Sequence, residues 1–291
     1  MKSLYTFLLC ASAHAIGPYS KVFTIAESFQ DEFAMMGRVR GDGQMRQWKL
    51  EFRRPEVLLP HSAPVNATVM LFAENDIVLP LENVQKFRSA PEFSGDLPMR
   101  MSLAQGSDMA NFNLNALLLP RGEKHILITN VESPYPFCRE ETVEFINLVR
   151  GNYMPLTVSL NGEGWSNFRA PASERHRETG VSLSGELKSS IPNYIFQAIY
   201  ELVRNRGCSD MAIASFPRIE YRGQRSVYFM DPHEYVERVG NVCELKIQGS
   251  DSETTWGRTM IKKFAIMIDY RTPRHWICKP SEQAMHSKKL F

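Results

Sequence analysis

The stretch FAMMGRVRGDGQMRQWKLEFR, residues 33 to 53, indicates the fold class of the N-terminal half. Apolar residues recur in two runs on either side of Gly41-Asp42-Gly43, and a short glycine-rich link between such runs is typical of a β-hairpin. Trp48, Leu50 and Phe52 lie two residues apart, so a strand places all three on one face. We therefore predict an antiparallel hairpin with one buried face.

Similar short apolar runs, separated by Gly, Pro, Asn and Asp, continue to residue 131. Residues 65 to 71 alternate in the same way, and residues 112 to 119 and 125 to 131 form a second hairpin candidate. Strands with one apolar face bury it when two sheets pack together or when one sheet closes. We expect residues 16–131 to form a β-rich module, either an antiparallel β-sandwich or an open barrel.

Two prolines within three residues, Pro134 and Pro136, interrupt the strand pattern, and we place a domain boundary between residues 131 and 132. Helices are predicted over residues 140–150 and 191–206, because a glycine follows each segment and Ile195 and Ile199 share one face of the second. The strand candidates beyond the boundary are residues 154–160, 211–216, a hairpin over 218–231, 242–248 and 260–270. Residues 132–291 are thus predicted to form a smaller-sheet α+β module with two helices, and the whole chain is predicted to be a β-rich α+β protein.

Residues 1–15 have the three-part layout of a secretory signal peptide. Lys2 precedes the apolar run from Leu4 to Cys10, and small residues at positions 13 and 15 predict cleavage after Ala15. The alternative is a buried N-terminal strand. No later apolar stretch approaches the length of about 20 residues that a spanning helix needs. We expect a secreted protein, extracellular or periplasmic, without an integral membrane segment.

The cysteines are consistent with an oxidising compartment. Removal of residues 1–15 leaves Cys138, Cys208, Cys243 and Cys278, an even set that can pair completely. Three connectivities are open. We favour Cys138 with Cys208 and Cys243 with Cys278, so that the first bond joins the approaches to the two predicted helices; the alternative is four reduced, buried thiols. Asn66 begins a glycosylation sequon that only a eukaryotic host would use.

Composition and missing motifs argue against several functional classes. The chain has 291 residues, 34 basic and 32 acidic, for a net charge of +2, which is too small for a dedicated polyanion binder. Residues 1–150 carry 15 basic and 17 acidic side chains, net −2, and the remainder carries 19 and 15, net +4. Phosphate loops, dinucleotide fingerprints, nucleophile elbows and zinc-binding helices are absent from the sequence. We therefore expect no nucleic-acid partner and no cofactor, and we lean against an enzyme.

The best acid–base candidate is the segment from Asp231 to Glu237. In it, His233 lies near the carboxylates of Asp231, Glu234 and Glu237. The same residues predict a helix start, with Asp231 as the N-cap and Pro232 at the first position. A third interpretation is a mixed nitrogen and oxygen metal site. We favour the helix start and predict no metal site.

A candidate binding loop contains Arg175, His176 and Arg177, near Trp165 in the sequence. Arginine beside an exposed aromatic ring can hold a phosphate, a sulfate or a sugar face. The alternative is a solvated surface loop. Strand alternation also places Arg218 and Arg222 on one face of the 218–231 hairpin.

The function predicted from these patterns is a secreted or periplasmic binding or structural module, a component of an extracytoplasmic assembly with a protein or glycan partner. One alternative is a secreted hydrolase that uses His233 and a neighbouring carboxylate. The other is a binder of acidic glycans. A concave pocket with convergent polar groups favours the hydrolase, whereas a flat or edge-strand surface favours the binding module.

Overall fold

The computed structural model of the chain describes residues 22–27, 33–39, 45–52, 57–60, 69–72, 78–80, 84–87, 96–98, 115–121, 124–129, 131–149, 153–161, 179–206, 208–240, 242–269, 272 and 274–286. Strands predominate in these residues and helices are few, which confirms the predicted β-rich α+β class. The sandwich or open barrel stays a prediction. The signal segment, Asn66, Trp165 and residues 175–177 lie outside the described residues.

Strands follow one another along most of the described chain, with the longest helix in its second half. The strands are β1 (Val22–Glu27), β2 (Phe33–Val39), β3 (Arg46–Glu51), β4 (Val57–Pro60), β5 (Val69–Phe72), β6 (Val78–Pro80), β7 (Val84–Phe87), β8 (Asp96–Pro98), β9 (Asn115–Arg121), β10 (Lys124–Thr129), β11 (Glu144–Asn147), β12 (Met154–Asn161), β13 (Thr179–Leu183), β14 (Ser189–Pro192), β15 (Arg218–Arg222), β16 (Val227–Met230), β17 (Val236–Val239), β18 (Val242–Leu245), β19 (Ile247–Ser250), β20 (Thr254–Trp256), β21 (Ala265–Asp269) and β22 (Arg274–Cys278). The α-helices are α1 (Asn193–Arg206), α2 (Asp210–Ala214), α3 (Pro232–Tyr235), α4 (Arg258–Ile261) and α5 (Glu282–His286), and 3-10 turns span Tyr135–Phe137 and Glu140–Thr142.

The chain divides into two compact units. The first consists of residues up to Asn147 together with residues from Lys262 onward, and the second runs from Leu148 to Ile261. This division differs from the boundary predicted at residue 132. The C-terminal strands return to the first unit, a long-range pairing that the local sequence does not reveal.

The first unit contains a mixed sheet with the strand order β11-β22-β21-β9-β10-β1-β2-β3-β8-β4-β7, in which β5 pairs with β2 and β6 with β5. The predicted hairpins are both confirmed, because β2 pairs antiparallel with β3 and β9 with β10. Trp48, Leu50 and Phe52 are buried, as their alternation predicts.

The core cluster of the first unit lies on one face of strands β9, β10 and β21. Its members, which include Phe137 from the first 3-10 turn and Ala284 from α5, are all apolar or disulfide-bonded: Leu117, Leu119, Ile126, Ile128, Val131, Phe137, Cys138, Ala265, Met267, Cys278 and Ala284. The turn and α5 therefore cover this face, and the Cys138–Cys278 disulfide fastens the cover to β22.

The second unit contains a seven-stranded mixed sheet with the order β16-β15-β12-β13-β20-β14-β19, and a separate two-stranded ribbon of β17 and β18. The predicted strand 154–160 and the predicted 218–231 hairpin are confirmed as β12 and as β15 with β16. The predicted strand 242–248 is divided between β18 in the ribbon and β19 in the sheet.

A loop over residues 184–188 is fastened to the chain around Gly257 in this unit. Ser184 N donates to Trp256 O at 2.9 Å, and Arg258 N donates to Glu186 O at 2.8 Å. A Cβ atom at Gly257 would lie 2.8 Å from Glu186 O and closer still to Lys188 O. The loop and the turn at Gly257 can approach this closely only because no side chain stands between them.

The predicted helix 191–206 is confirmed as α1, in which Ile195 and Ile199 are buried. It begins two residues later than predicted, because residues 189–192 pair with β19 as strand β14. The predicted helix 140–150 is wrong. Residues 140–142 form a 3-10 turn and residues 144–147 pair with β22, so long-range pairing overrides the local helical pattern.

The predicted strand 211–216 is also wrong, since residues 211–214 belong to helix α2 (Asp210–Ala214). Ser209 Oγ accepts a hydrogen bond from Ala212 N at 3.1 Å, which is N-cap geometry. Likewise, residues 258–261 form α4 before β21 begins, although the strand was predicted to start at residue 260.

Two disulfides form, but the favoured pairing is wrong. Cys138 bonds Cys278, and Cys208 bonds Cys243. Each disulfide lies within one unit. The return of the C-terminal strands to the first unit places Cys278 opposite Cys138, and the β17–β18 ribbon places Cys243 beside the end of α1.

Candidate functional site

The segment from Asp231 to Glu237 forms the predicted helix start. Asp231 is the N-cap of α3 and Pro232 is its first residue. Asp231 N donates to Glu234 Oε2 at 2.7 Å, and Glu234 N donates to Asp231 O at 2.9 Å. This reciprocal bonding satisfies backbone groups that a helix end otherwise leaves open.

The carboxylates of this segment are engaged by partners other than His233. Asp231 Oδ1 lies 2.6 Å from Arg218 Nε, and Glu237 Oε2 lies 2.7 Å from Lys246 Nζ. His233 is exposed at the surface of the turn. Within the described residues, no group of three His, Cys, Asp or Glu side chains comes together in a way that could hold a metal ion.

The outer face of β15 carries a second polar cluster. Arg218 and Arg222 are exposed on this face, as strand alternation predicts. Between them lies Glu220, which is buried, and Asn161 Nδ2 donates to its Oε2 at 2.8 Å while Arg222 Nε donates to its Oε1 at 2.9 Å. Each arginine is therefore neutralised by a carboxylate, Asp231 for Arg218. Glu220 is not among the candidates predicted from the sequence, although its position between two arginines, two residues from each, was the available signal.

An aromatic surface at the β11 edge of the first unit was likewise not predicted from the sequence. Tyr135 and Trp276 meet edge to face with ring centroids 6.1 Å apart, and Phe145 lies 5.5 Å from Trp276. The guanidinium of Arg274 stands 5.4 Å from the centre of the Phe145 ring. We call these four side chains the aromatic edge.

Strand register explains why the aromatic edge forms. Phe145 on β11 is directly opposite Trp276 on β22, and Asn147 is opposite Arg274. Residues two apart on a strand share a face, so the two pairs stand side by side. Tyr135 comes from the 3-10 turn that covers the core.

The aromatic edge is open to solvent. Tyr135 is 50% exposed and Phe145 is 45% exposed, in contrast to the fully buried aromatic rings of the core. Exposed aromatic residues beside an arginine are the composition that protein interfaces favour. In the described sheet, β11 pairs only with β22 and ends the strand order, so this is an edge-strand surface.

Charged side chains border the aromatic edge at both ends of β11. Glu140 and Glu141 are exposed in the turn that precedes the strand, while Arg274 lies beside its last residue. Arg139 pairs with Glu282 at 3.7 Å. Lys279, exposed beside the same turn, offsets one of these acidic charges, so the border is net acidic at the beginning of β11 and basic at its end.

Two buried histidines lie on the sheet face opposite the core cluster, since they alternate with cluster residues on β10 and β22. Burial, with a smaller contribution from the positive charge of Lys262, lowers the pKa of His125 to about 4. Burial likewise lowers the pKa of His275 to about 4. Among the described residues, His125 Nε2 and His275 Nδ1 have no hydrogen-bond partner. Both rings are thus neutral near pH 7 and belong to the packing of the first unit.

No helix within the described part of the chain is both long and apolar enough to cross a membrane. Neither a protein-family model nor a curated protein sequence is significantly similar to this chain.

Proposed function

We propose that this protein is a secreted or periplasmic binding module, a component of an extracytoplasmic assembly, and that it holds its partner at the aromatic edge. The observation that carries the proposal is the exposure of Tyr135 and Phe145 beside Arg274 on the last strand of the described sheet. Large exposed rings cost solvation free energy unless a partner covers them. An edge strand also offers backbone hydrogen bonds to an incoming chain.

The two disulfides support the extracytoplasmic part of the proposal. Each bond lies within one unit, where it fastens a peripheral element to the rest of that unit. Disulfides of this structural kind form and persist in oxidising compartments. An uncleaved chain recovered with Met1 from the cytosol would contradict this part.

The alternatives stay predictions. The hydrolase hypothesis depends on His233, whose neighbouring carboxylates have other partners in the structure. The acidic-glycan hypothesis depends on Trp165 and residues 175–177, which lie outside the described residues.

Site-specific photo-crosslinking tests the proposed surface. A benzophenone amino acid replaces Phe145 in the full, disulfide-bonded chain, and a matched variant carries it at Tyr200, an equally exposed aromatic residue on α1 that stacks on Phe196. Both are illuminated in the extracellular or periplasmic fraction of the host. We expect a protein adduct at position 145 in at least about tenfold excess over position 200, the ratio that a 1.4 kcal/mol preference gives. Equal adduct yields at the two positions would overturn the proposal.

A further inference from the structure

We propose that the partner at the aromatic edge is a second copy of this chain, which pairs through an antiparallel contact between the two β11 strands. This inference rests on the proposed function, because it names the occupant of the same surface. Two observations support this inference: the geometry of the rings in the aromatic edge, and the arrangement of charged side chains along β11.

The ring geometry favours a polypeptide over a flat ligand. Phe145 and Trp276 are inclined by 48°, and Tyr135 and Trp276 by 70°. Stacking on a flat sugar or base requires a ring face that is free, whereas Arg274 lies over Phe145. Inclined rings leave gaps that side chains of an added strand can fill.

The arrangement of charge identifies the strand as one from the same protein. The border is net acidic at the beginning of β11, where Glu140 and Glu141 outnumber the exposed Lys279, and basic at its end, at Arg274. A two-fold axis that makes two β11 strands antiparallel brings the acidic end of each copy beside the arginine of the other. An isologous interface needs this kind of self-complementary patch, and here one molecule contains both halves.

The same axis would bring the two Phe145 rings together. Side chains keep their face when antiparallel strands are related by an axis perpendicular to the sheet, so Phe145 of each copy lies on the same side of the joined sheet. Phe145 is 45% exposed in the single chain and becomes buried at the centre of the pair. Aromatic residues at the centre with charges at the rim are the usual anatomy of an interface.

A charge-exchange experiment tests the pairing in the full, disulfide-bonded chain. Sedimentation equilibrium measures the dimer dissociation constant of four proteins: wild type, Glu140→Lys with Glu141→Lys, Arg274→Glu, and all three substitutions together. We expect the Glu140→Lys, Glu141→Lys variant and the Arg274→Glu variant each to raise the dissociation constant by at least about tenfold. A tenfold rise corresponds to a loss of about 1.4 kcal/mol in association free energy. The triple variant exchanges the two charges and should return to within about threefold of wild type.

Controls separate folding from association. Glu201→Lys, on the exposed face of α1, makes the net charge more positive, as Glu140→Lys with Glu141→Lys does, and should leave the dissociation constant unchanged. Circular dichroism and non-reducing gels verify that each variant folds with both disulfides. A wild-type chain that stays monomeric up to about 100 µM, or a triple variant that fails to recover, would overturn the inference. A crosslinked adduct at position 145 that contains a different protein would overturn it too, while leaving the proposed function intact.

Discussion

Each of the two units contains a mixed sheet and one disulfide, but their buried polar groups differ in whether they titrate between neutral pH and mild acid. In the second unit, Ser189 and Thr259 bond each other at 2.9 Å, and Ser190 bonds Thr255 at 3.0 Å and Glu253 O at 2.8 Å. In the first unit, two buried histidines each have a ring nitrogen without a hydrogen-bond partner among the described residues. The described second unit has two buried atoms in the same state, Tyr221 Oη and Trp256 Nε1, but neither takes up a proton in mild acid. Satisfied polar groups make a core specific, while unsatisfied titratable groups make it sensitive to pH. The comparison therefore predicts different weaknesses for the two units.

The largest expected effect is the loss of a disulfide. Cys138–Cys278 spans 140 residues and Cys208–Cys243 spans 35. Loop closure then predicts a stabilisation of about 5 kcal/mol for the first bond and about 4 kcal/mol for the second. Urea unfolding of the two double Cys→Ala variants measures both values. A larger loss on removing the shorter bond would contradict the entropic account.

The disulfide expected to stabilise the chain less, Cys208–Cys243, should be the first to be reduced. Cys138 and Cys278 are 7% and 3% exposed, whereas Cys208 and Cys243 are half-buried at the base of the ribbon. Attack by a thiolate requires access to a sulfur atom, so dithiothreitol should open Cys208–Cys243 first. Alkylation followed by peptide mass spectrometry gives the order. Simultaneous reduction of the two bonds would remove this difference between the units.

A substitution at Gly257 tests the packing of the second unit. In the Gly257→Ala variant the added Cβ would lie within 3.0 Å of two backbone oxygens, those of Glu186 and Lys188. Backbone atoms cannot move aside as side chains do, so we expect a loss of about 3 kcal/mol in the free energy of unfolding.

The matched control is Gly240→Ala in the ribbon. Gly240 has φ of +64°, but nothing lies within 4 Å of an added Cβ, so only the conformational cost of about 1 kcal/mol applies. Hydrogen exchange should show the Gly257 effect in peptides of the second unit. Equal losses for the two variants would mean that the loop at residues 184–188 is not held as tightly as the structure shows.

Mild acid tests the first unit. Its two buried histidines have a pKa of about 4, below the ordinary value of 6.5. As the pH falls below 6.5 the unfolded chain binds protons that the folded chain does not, so their stabilising contribution is complete above pH 6.5 and is lost towards pH 4. In this pH window each histidine lowers the free energy of unfolding by up to about 1.4 kcal/mol for every pH unit of acidification.

Hydrogen exchange at pH 7 and pH 5 measures this effect for each unit. We expect faster exchange at pH 5 in the strands around His125 and His275, relative to the second unit. The double variant His125→Leu with His275→Leu should lose most of this pH dependence. An unchanged slope in that variant would assign the acid sensitivity to other groups.

The smallest expected effect concerns the helix start in the second unit. Asp231→Ala keeps the two backbone atoms that bond Glu234, but it removes the aspartate side chain at the N-cap and its half-exposed ion pair with Arg218. Solvent screening limits the cost to about 1 kcal/mol. His233→Ala, at an exposed position, should cost less than about 0.5 kcal/mol. Urea midpoints rank the two variants. A larger cost for His233 would show that its side chain has a role the structure does not reveal.

Some of the candidate site could be predicted from sequence because the signals are local. Asp231 followed by Pro232 predicts a helix start, and the spacing of Arg218 and Arg222 places them on one strand face; both are found. The aromatic edge could not be predicted in this way. Phe145 was assigned to a helix, and Trp276 lies more than a hundred residues further along the chain, so only the β11–β22 register brings them together.

Features that depend on neighbouring residues follow from the amino-acid sequence without further information: the alternation of Trp48, Leu50 and Phe52, the apolar stripe of α1, and the predominance of strands. They arise from the period of two or 3.6 residues with which side chains share a face. Three other features emerge only when the chain is folded, namely the pairing of the cysteines, the return of residues 262–291 to the first unit, and the conversion of a helical pattern at residues 144–147 into β11. Each of these depends on contacts between segments far apart in the chain, where the free energy of the whole sheet outweighs local preference.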